Sequence, residues 1–215
     1  DNAVVCAIGT MGAPTVGVEK IPRGDELEKT VRVLESHIGS SFEAIIIGEI
    51  GGANALKPLI CALQMDLPVV DGDGMGRAFP ELQMDSFAIG GVDLSPLALG
   101  DCHGNQVVLH SVSGPVQAER YARNLTIEMG GSTALAMPMM TGHELKHTLI
   151  RKTLSLAKAL GEIVLGARKV GKDPVDGIIE LTQGQVLFRG KIIDVERRIT
   201  RGFSRGTMKL TAFGS

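Results

Sequence analysis

The feature that most constrains the fold is a unit that recurs three times in the first ninety residues: a short apolar run, a glycine-rich loop, then a helical stretch. Residues 3–8 run into Gly9-Thr10-Met11-Gly12-Ala13-Pro14, and residues 44–47 run into Gly48-Glu49-Ile50-Gly51-Gly52. The third run, Leu67-Pro68-Val69-Val70, opens onto Asp71-Gly72-Asp73-Gly74-Met75-Gly76-Arg77. Between them, residues 25–37, with Gly39 as a stop, and residues 54–65, with Pro58 in the first turn, read as helices. Strands that alternate with helices of this length pair in parallel through right-handed crossovers. The fold class expected is therefore α/β, a parallel sheet with flanking helices. Open sheets of this kind hold ligands beyond the carboxyl ends of their strands. All three loops should then share one edge, bringing Glu19, Glu49, Asp71, Asp73, Arg77 and Glu81 to one cleft.

Farther along, Ala118, Tyr121, Ala122, Leu125 and Met129 form an apolar stripe, which predicts an amphipathic helix over residues 115–129 that stops at Gly130-Gly131. A longer helix is expected over residues 143–167, with Leu145, Leu149, Leu156, Leu160, Ile163, Val164 and Ala167 toward a core. After Gly171-Lys172-Asp173-Pro174 the pattern turns β-rich, over residues 177–182, 185–199 and 206–211. Two domains are expected: an α/β domain over 1–171 that carries the glycine loops, and the start of a β-rich domain over 172–215. The chain opens on a strand without methionine and stops as the β region begins, so it reads as a fragment with that region truncated.

A chain of 215 residues with 44% hydrophobic content can build such a core. The formal net charge of -2 supplies no global field toward nucleic acid or an anionic membrane. No apolar stretch approaches the roughly 20 residues of a membrane span and no signal-peptide pattern opens the chain, which reads as cytoplasmic. The basic run Arg189, Lys191, Arg197, Arg198, Arg201, Arg205 and Lys209 is interrupted by Asp194 and Glu196, and its aromatic neighbours are limited to Phe188 and Phe203. A solvated β face or a domain interface fits it better than nucleic-acid binding. Cys6 and Cys61 lie in apolar segments and read as packing residues. Cys102, in Asp101-Cys102-His103-Gly104-Asn105, reads as part of a turn before a strand over residues 106–110.

Residues 69–84 concentrate polar chemistry behind the third strand. A dinucleotide loop is a poor reading, because its third glycine would fall on Arg77, and no Gly-Lys-Ser/Thr follows for a Walker loop. Asp71 and Asp73 could simply form turns, with Arg77 and Glu81 as an i,i+4 helix pair. The favoured reading is chemical. Carboxylates take protons, orient water or hold a divalent metal, and an arginine fixes an anion or a carbonyl. Asp71, Asp73 and Glu81 are thus the catalytic candidates. A second pattern, His143-Glu144-Leu145-Lys146-His147, matches the zinc-peptidase string His-Glu-x-x-His, in which both imidazoles hold zinc and Glu144 activates water. Glu162 lies about 22 Å along the same expected helix and cannot complete that site. A solvated helical turn is the favoured reading there.

Met11-Gly-Ala-Pro-Thr, Glu19-Lys20, Glu49-Ile-Gly-Gly-Ala-Asn54, Asp71-Gly-Asp-Gly-Met-Gly-Arg-Ala-Phe-Pro-Glu81-Leu-Gln-Met, Met129-Gly-Gly and Arg189-Gly-Lys through Gly202-Phe-Ser-Arg-Gly206 resemble domain-of-unknown-function family 917, labelled S-methyl-thiohydantoin desulfurase-like. The resemblance spans nearly the whole chain. It implies hydrolytic removal of a sulfur substituent from a five-membered hydantoin-type ring, and association with hydantoinase or oxoprolinase proteins. Family members carry an upstream glycine-rich segment and a further C-terminal part, and neither the His143 string nor Cys102-His103 belongs to their motifs. On this reading Asp71 or Asp73 is the base that activates water. Arg77 steadies developing charge or a substrate carboxylate, and Gly12, Glu19, Glu49, Gly51 and Asn54 complete the substrate site. A divalent metal on these acids and a homo-oligomer are both compatible with it. The alternatives are a non-catalytic subunit that binds a hydantoinase or oxoprolinase partner, and a zinc metallohydrolase built on His143, Glu144 and His147.

Overall fold

The computed structural model describes residues 1–200 and 203–213. They form two compact units, Asp1–Thr153 and Leu154–Ser215.

In the first unit, β1 (Val4–Gly12), β2 (Ala44–Ile47) and β3 (Val69–Asp73) pair side by side in parallel, with Val5 opposite Ala44 and Ile45 opposite Val69. β1, over its first residues, and β2 run apolar without alternation because both faces are covered. Val5, Ala7, Met11 and Ile46 enter one core, while Cys6, Ile8 and Ile45 enter the other. Helices α2 (Glu26–Ile38) and α3 (Gly52–Met65) close the second core with Leu27, Val31, Leu34, Cys61 and Met65. The first is closed by Phe87 of α4 (Ser86–Ile89), Ala118 and Ala122 of α5 (Pro115–Glu128), and Leu145 of α6 (Gly142–Thr148). The α/β class is as expected. Gly39 ends α2 at φ 71° in the left-handed region, as read from the sequence. Because α3 starts at Gly52, Pro58 sits in its second turn, not its first.

The sheet as a whole is mixed rather than parallel. Four more strands, β4 (Leu97–Gly100), β5 (Gln106–Leu109), β6 (Ser132–Thr141) and β7 (Ile150–Arg151), extend it to the order β5-β4-β6-β1-β2-β3-β7. Each of them joins antiparallel. The central strand β6 is rich in Ala and Met and contains Pro138, all poor strand signals, and its register against β1 slips between Cys6 and Ile8 opposite that stretch. Pairing with β6 carries β1 through Gly12, so the expected loop over Gly9 to Gly12 is strand. Asp71 and Asp73 likewise belong to β3.

The helix expected over residues 143–167 is two helices. Ile150 and Arg151 leave it to pair with Asp73 and Gly72 at the sheet edge, and α7 (Thr153–Lys169) follows. Residues 177–182, expected as a strand, lie in α8 (Val175–Thr182). A short apolar run does not by itself separate strand from helix, and here Pro174 at the N-cap starts a helix. The second unit ends in the hairpin β8 (Gly190–Thr200) and β9 (Phe203–Ala212). On it Lys209 Nζ lies 3.1 Å from Asp194, while Arg201 and Gly202 lie outside the described residues. Among the described residues no helix is long and apolar enough to cross a membrane.

Candidate active site

The three glycine loops meet at one sheet edge, as the topology predicts, and are laced there by main-chain bonds. Gly48 donates its N–H to the carbonyl of Ile8 at 2.9 Å, and Gly74 donates to the carbonyl of Gly48 at 3.1 Å. Asp73 Oδ2 accepts from the backbone of Ile50 at 2.8 Å, Met75 at 3.1 Å and Gly76 at 2.8 Å. Gly12 and Gly74 are among the glycines that are sterically required. A Cβ on Gly74 would lie 2.7 Å from the Phe87 ring, and one on Gly12, at φ 137°, would lie 2.2 Å from the carbonyl oxygen of Gly131.

Beside this edge lies a cleft of about 530 Å³, bounded by Thr10 to Gly12 at the end of β1, by α1 (Pro14–Glu19), by Glu49 and the start of α3, and by Ala78 and Ser132. Asn54 anchors it. Its Oδ1 accepts from the N–H and hydroxyl of Thr10, and its Nδ2 donates to the Thr10 carbonyl at 3.0 Å and to Glu49 Oε1 at 2.7 Å. Every hydrogen-bonding position of that amide is engaged, so the Glu49 carboxylate is oriented by a fixed donor. Gly51, the N-cap of α3, brings no side-chain cap, and the first helical N–H groups at Gly52 and Ala53 line the cleft without an intrahelical partner.

Of the residues expected in the site, Gly12, Glu49, Gly51 and Asn54 are brought together. The others lie elsewhere. Asp73 has no exposed surface, and the three N–H groups on its Oδ2 make it the anchor of the loops rather than a group facing solvent. Asp71 is exposed on β3, where its carbonyl accepts from the N–H of Lys152. Glu19 is exposed at the end of α1 and does not line the cleft. Arg77 stacks over Phe79 with 5.4 Å to the ring centroid, next to Ala78 but turned to solvent. Glu81 precedes a 3-10 turn, Leu82–Met84, and accepts from Gln83, so the alternative of an Arg77–Glu81 helix pair is not what this segment forms.

Sequence reasoning missed the residues that fix the far end of this motif. Buried Glu119 accepts the Leu82 N–H at 3.0 Å and pairs with Arg123 at 2.8 Å, and Arg123 donates to the Pro80 carbonyl at 2.9 Å. The i,i+4 spacing on α5 was the available signal. Asp85 caps α4 by accepting from Ala88 N–H at 2.6 Å, and burial pushes its carboxyl up to about 6 against the lowering effect of that bond.

The His143 string folds as a capping box. Thr141 Oγ1 accepts the Glu144 N–H at 3.2 Å, while Glu144 Oε2 accepts from the Thr141 N–H at 2.7 Å, which holds its carboxyl below the usual range. His147 Nδ1 lies 2.8 Å from the His143 carbonyl. Among the described residues no three His, Cys, Asp or Glu side chains are placed to hold a metal ion. Cys6 and Cys61 are buried, and burial pushes the Cys61 thiol up to about 12. Cys102 is half-buried in a turn built by Asp101 Oδ1, which accepts from the N–H groups of His103 and Asn105.

Layered helices on a mixed sheet, with a cleft at the carboxyl ends of the parallel strands, define an α/β protein. The model of the S-Me-THD-like N-terminal domain matches residues 1–111 and that of the C-terminal domain matches residues 113–215. The chain belongs to the S-Me-THD-like family. A solved protein from Chromobacterium violaceum, a structural genomics target, is similar at 26% identity and a TM-score of 0.73, over 89% of this chain and 53% of that one. The chain thus spans about half the length of that relative. No curated protein matches it.

Proposed function

We propose that the protein is a cytoplasmic hydrolase that cleaves the carbon–sulfur bond of an S-methyl-thiohydantoin type ring, releasing hydantoin and methanethiol. The observation that carries this reading is the Glu49–Asn54 pair in the cleft, 2.7 Å apart, in a chain of this family. Glu49 takes a proton from water as the oxygen attacks the ring carbon that bears sulfur. The electron pair of the ring C=N bond moves onto nitrogen, and the N–H groups at the start of α3 face that charge. The nitrogen takes the proton held by Glu49; collapse of the tetrahedral carbon then restores a carbon–oxygen double bond and expels methanethiolate, and the proton lost by the hydroxyl passes through Glu49 to the sulfur, which leaves as methanethiol. Asp73 positions the loop that carries Glu49. The test is methanethiol release by the wild type and by Glu49→Gln. A fall of about 10² to 10⁴-fold is expected for the variant, as for a positioned general base. Full turnover in Glu49→Gln would overturn the assignment.

A second reading, a binding subunit for a hydantoinase or oxoprolinase partner, is favoured by a specific surface. Leu56, Ile60 and Leu63 of α3 are 62%, 54% and 83% exposed, which is more apolar surface on one helix than solvent favours. Turnover by the protein without any partner separates the two readings.

A further inference from the structure

The cleft does not end at Lys57. A second cavity of about 350 Å³ lies behind it, and Thr10, Gly17, Lys57 and Ser132 bound both spaces. The two differ in chemistry. The first holds Glu49, Asn54 and open helix N–H groups; the second is walled by Pro22, Leu27, Ile60, Cys61 and Ala134. Three of the charged or amide side chains on this second wall are tied to backbone. Lys20 Nζ donates to the Met129 carbonyl at 3.2 Å, Gln64 donates to the Gly24 carbonyl at 2.9 Å, and Glu26 accepts from the N–H groups of Arg23 and Gly24. Lys57 is different. Half-buried at the junction of the two spaces, its ammonium has no hydrogen bond or ion pair among the described residues.

Resting on the ring-hydrolysis reading above, we propose that this second cavity is a specificity chamber that receives an apolar substituent of the substrate, with Lys57 gripping an anionic group at its entrance. The substrate class is then a five-membered hydantoin-type ring that carries a branched aliphatic side chain and a negative charge. A bare ring would fill the first space alone. An aliphatic group entering the second would exchange water for the side chains of Leu27, Pro22 and Ile60. An isobutyl group gains about ten- to hundredfold in affinity on full burial.

The test is calorimetric titration of the protein with three probes: hydantoin, its isobutyl-substituted counterpart, and isocaproate, which carries the aliphatic group and an anion without a ring. Expected is binding of the isobutyl ring at least tenfold tighter than hydantoin, and measurable binding of isocaproate. Ile60→Glu, at a half-exposed position that tolerates a charge, should weaken both aliphatic probes about tenfold, and Lys57→Gln should weaken isocaproate. Leu63→Glu, on the same helix but outside the cavity, serves as the control and should change neither. Hydantoin and its isobutyl form binding equally, with no isocaproate bound, would overturn the chamber and leave the ring reading standing. Isocaproate bound with the expected response to Ile60→Glu and Lys57→Gln, but no ring bound, would support the chamber and sink the ring reading. Failure of all three probes would overturn both.

Discussion

Asp73 Oδ2 lies 2.8 Å from the main-chain nitrogen of Ile50, so the carboxylate at the end of β3 holds the loop that presents Glu49. The same oxygen takes two further N–H groups from its own loop, and an ionised acceptor makes each of these bonds stronger than a neutral one. Asparagine at this position keeps the shape and loses the charge. Asp73→Asn should therefore lower stability by about 1–3 kcal/mol, read by urea unfolding, with a loss of turnover that follows from a displaced loop. Glu49→Gln should show the opposite signature, lost turnover with stability changed by less than about 0.5 kcal/mol, as for a partly exposed site residue. Unchanged stability with abolished turnover in Asp73→Asn would return Asp73 to the role of base.

Gly12 and Gly131 meet where β1 ends and β6 begins. With φ at 137° and a carbonyl 2.2 Å from any added Cβ, Gly12→Ala must move backbone rather than a side-chain tip. A loss of at least about 3 kcal/mol is expected, in the range of overpacking combined with an unfavourable backbone conformation. Thermal unfolding checks it. Gly17→Ala is the matched control, since nothing lies within 4 Å of its Cβ position.

Asp85 predicts a pH dependence with a defined sign. Burial raises its carboxyl from 3.8 to about 6 in the folded protein, so the folded state binds the proton more tightly than the unfolded chain. The associated stability is fully present below about pH 4 and is lost as pH rises through about 6, on the order of 3 kcal/mol in all. Asp85→Asn keeps an acceptor for the Ala88 N–H and carries no charge to bury. It should be more stable than wild type above about pH 6 and flatten the stability profile between pH 4 and 6, measured by unfolding at a series of pH values. A parallel profile in the variant would show that another group sets this slope.

The capping box at the start of α6 makes a fourth structural prediction. Thr141→Ala removes the acceptor for the Glu144 N–H and should destabilise by about 1 kcal/mol. His143→Ala should leave turnover at the wild-type level, because the cleft lies among other residues. A stoichiometric zinc ion lost together with activity in His143→Ala would overturn the Glu49 assignment in favour of the histidines.

The strand–loop–helix rhythm was legible by itself because each unit is local: apolar runs buried on both faces, glycines where chains turn, and the left-handed stop at Gly39 all act within a few residues. Parallel pairing of β1, β2 and β3 followed from that rhythm, and with it the meeting of the three glycine loops at one edge; of the six charged residues the rhythm gathered there only Glu49 lines the cleft, while Gly12, Gly51 and Asn54 were named through the family resemblance. The family resemblance was equally legible, since motifs are contiguous strings. What only the tertiary structure decided rests on contacts between distant residues. β6 is a poor strand by propensity and is made one by neighbours on both sides. The same pairing carried β1 through Gly12, and edge pairing with β3 broke the helix expected over residues 143–167. Asp73 and Glu49 are both acids beside glycines, yet one is sealed under three backbone N–H groups and the other lines the cleft against Asn54. Their chemistry is set by burial and hydrogen-bond partners, which arise only when the loops fold against one another.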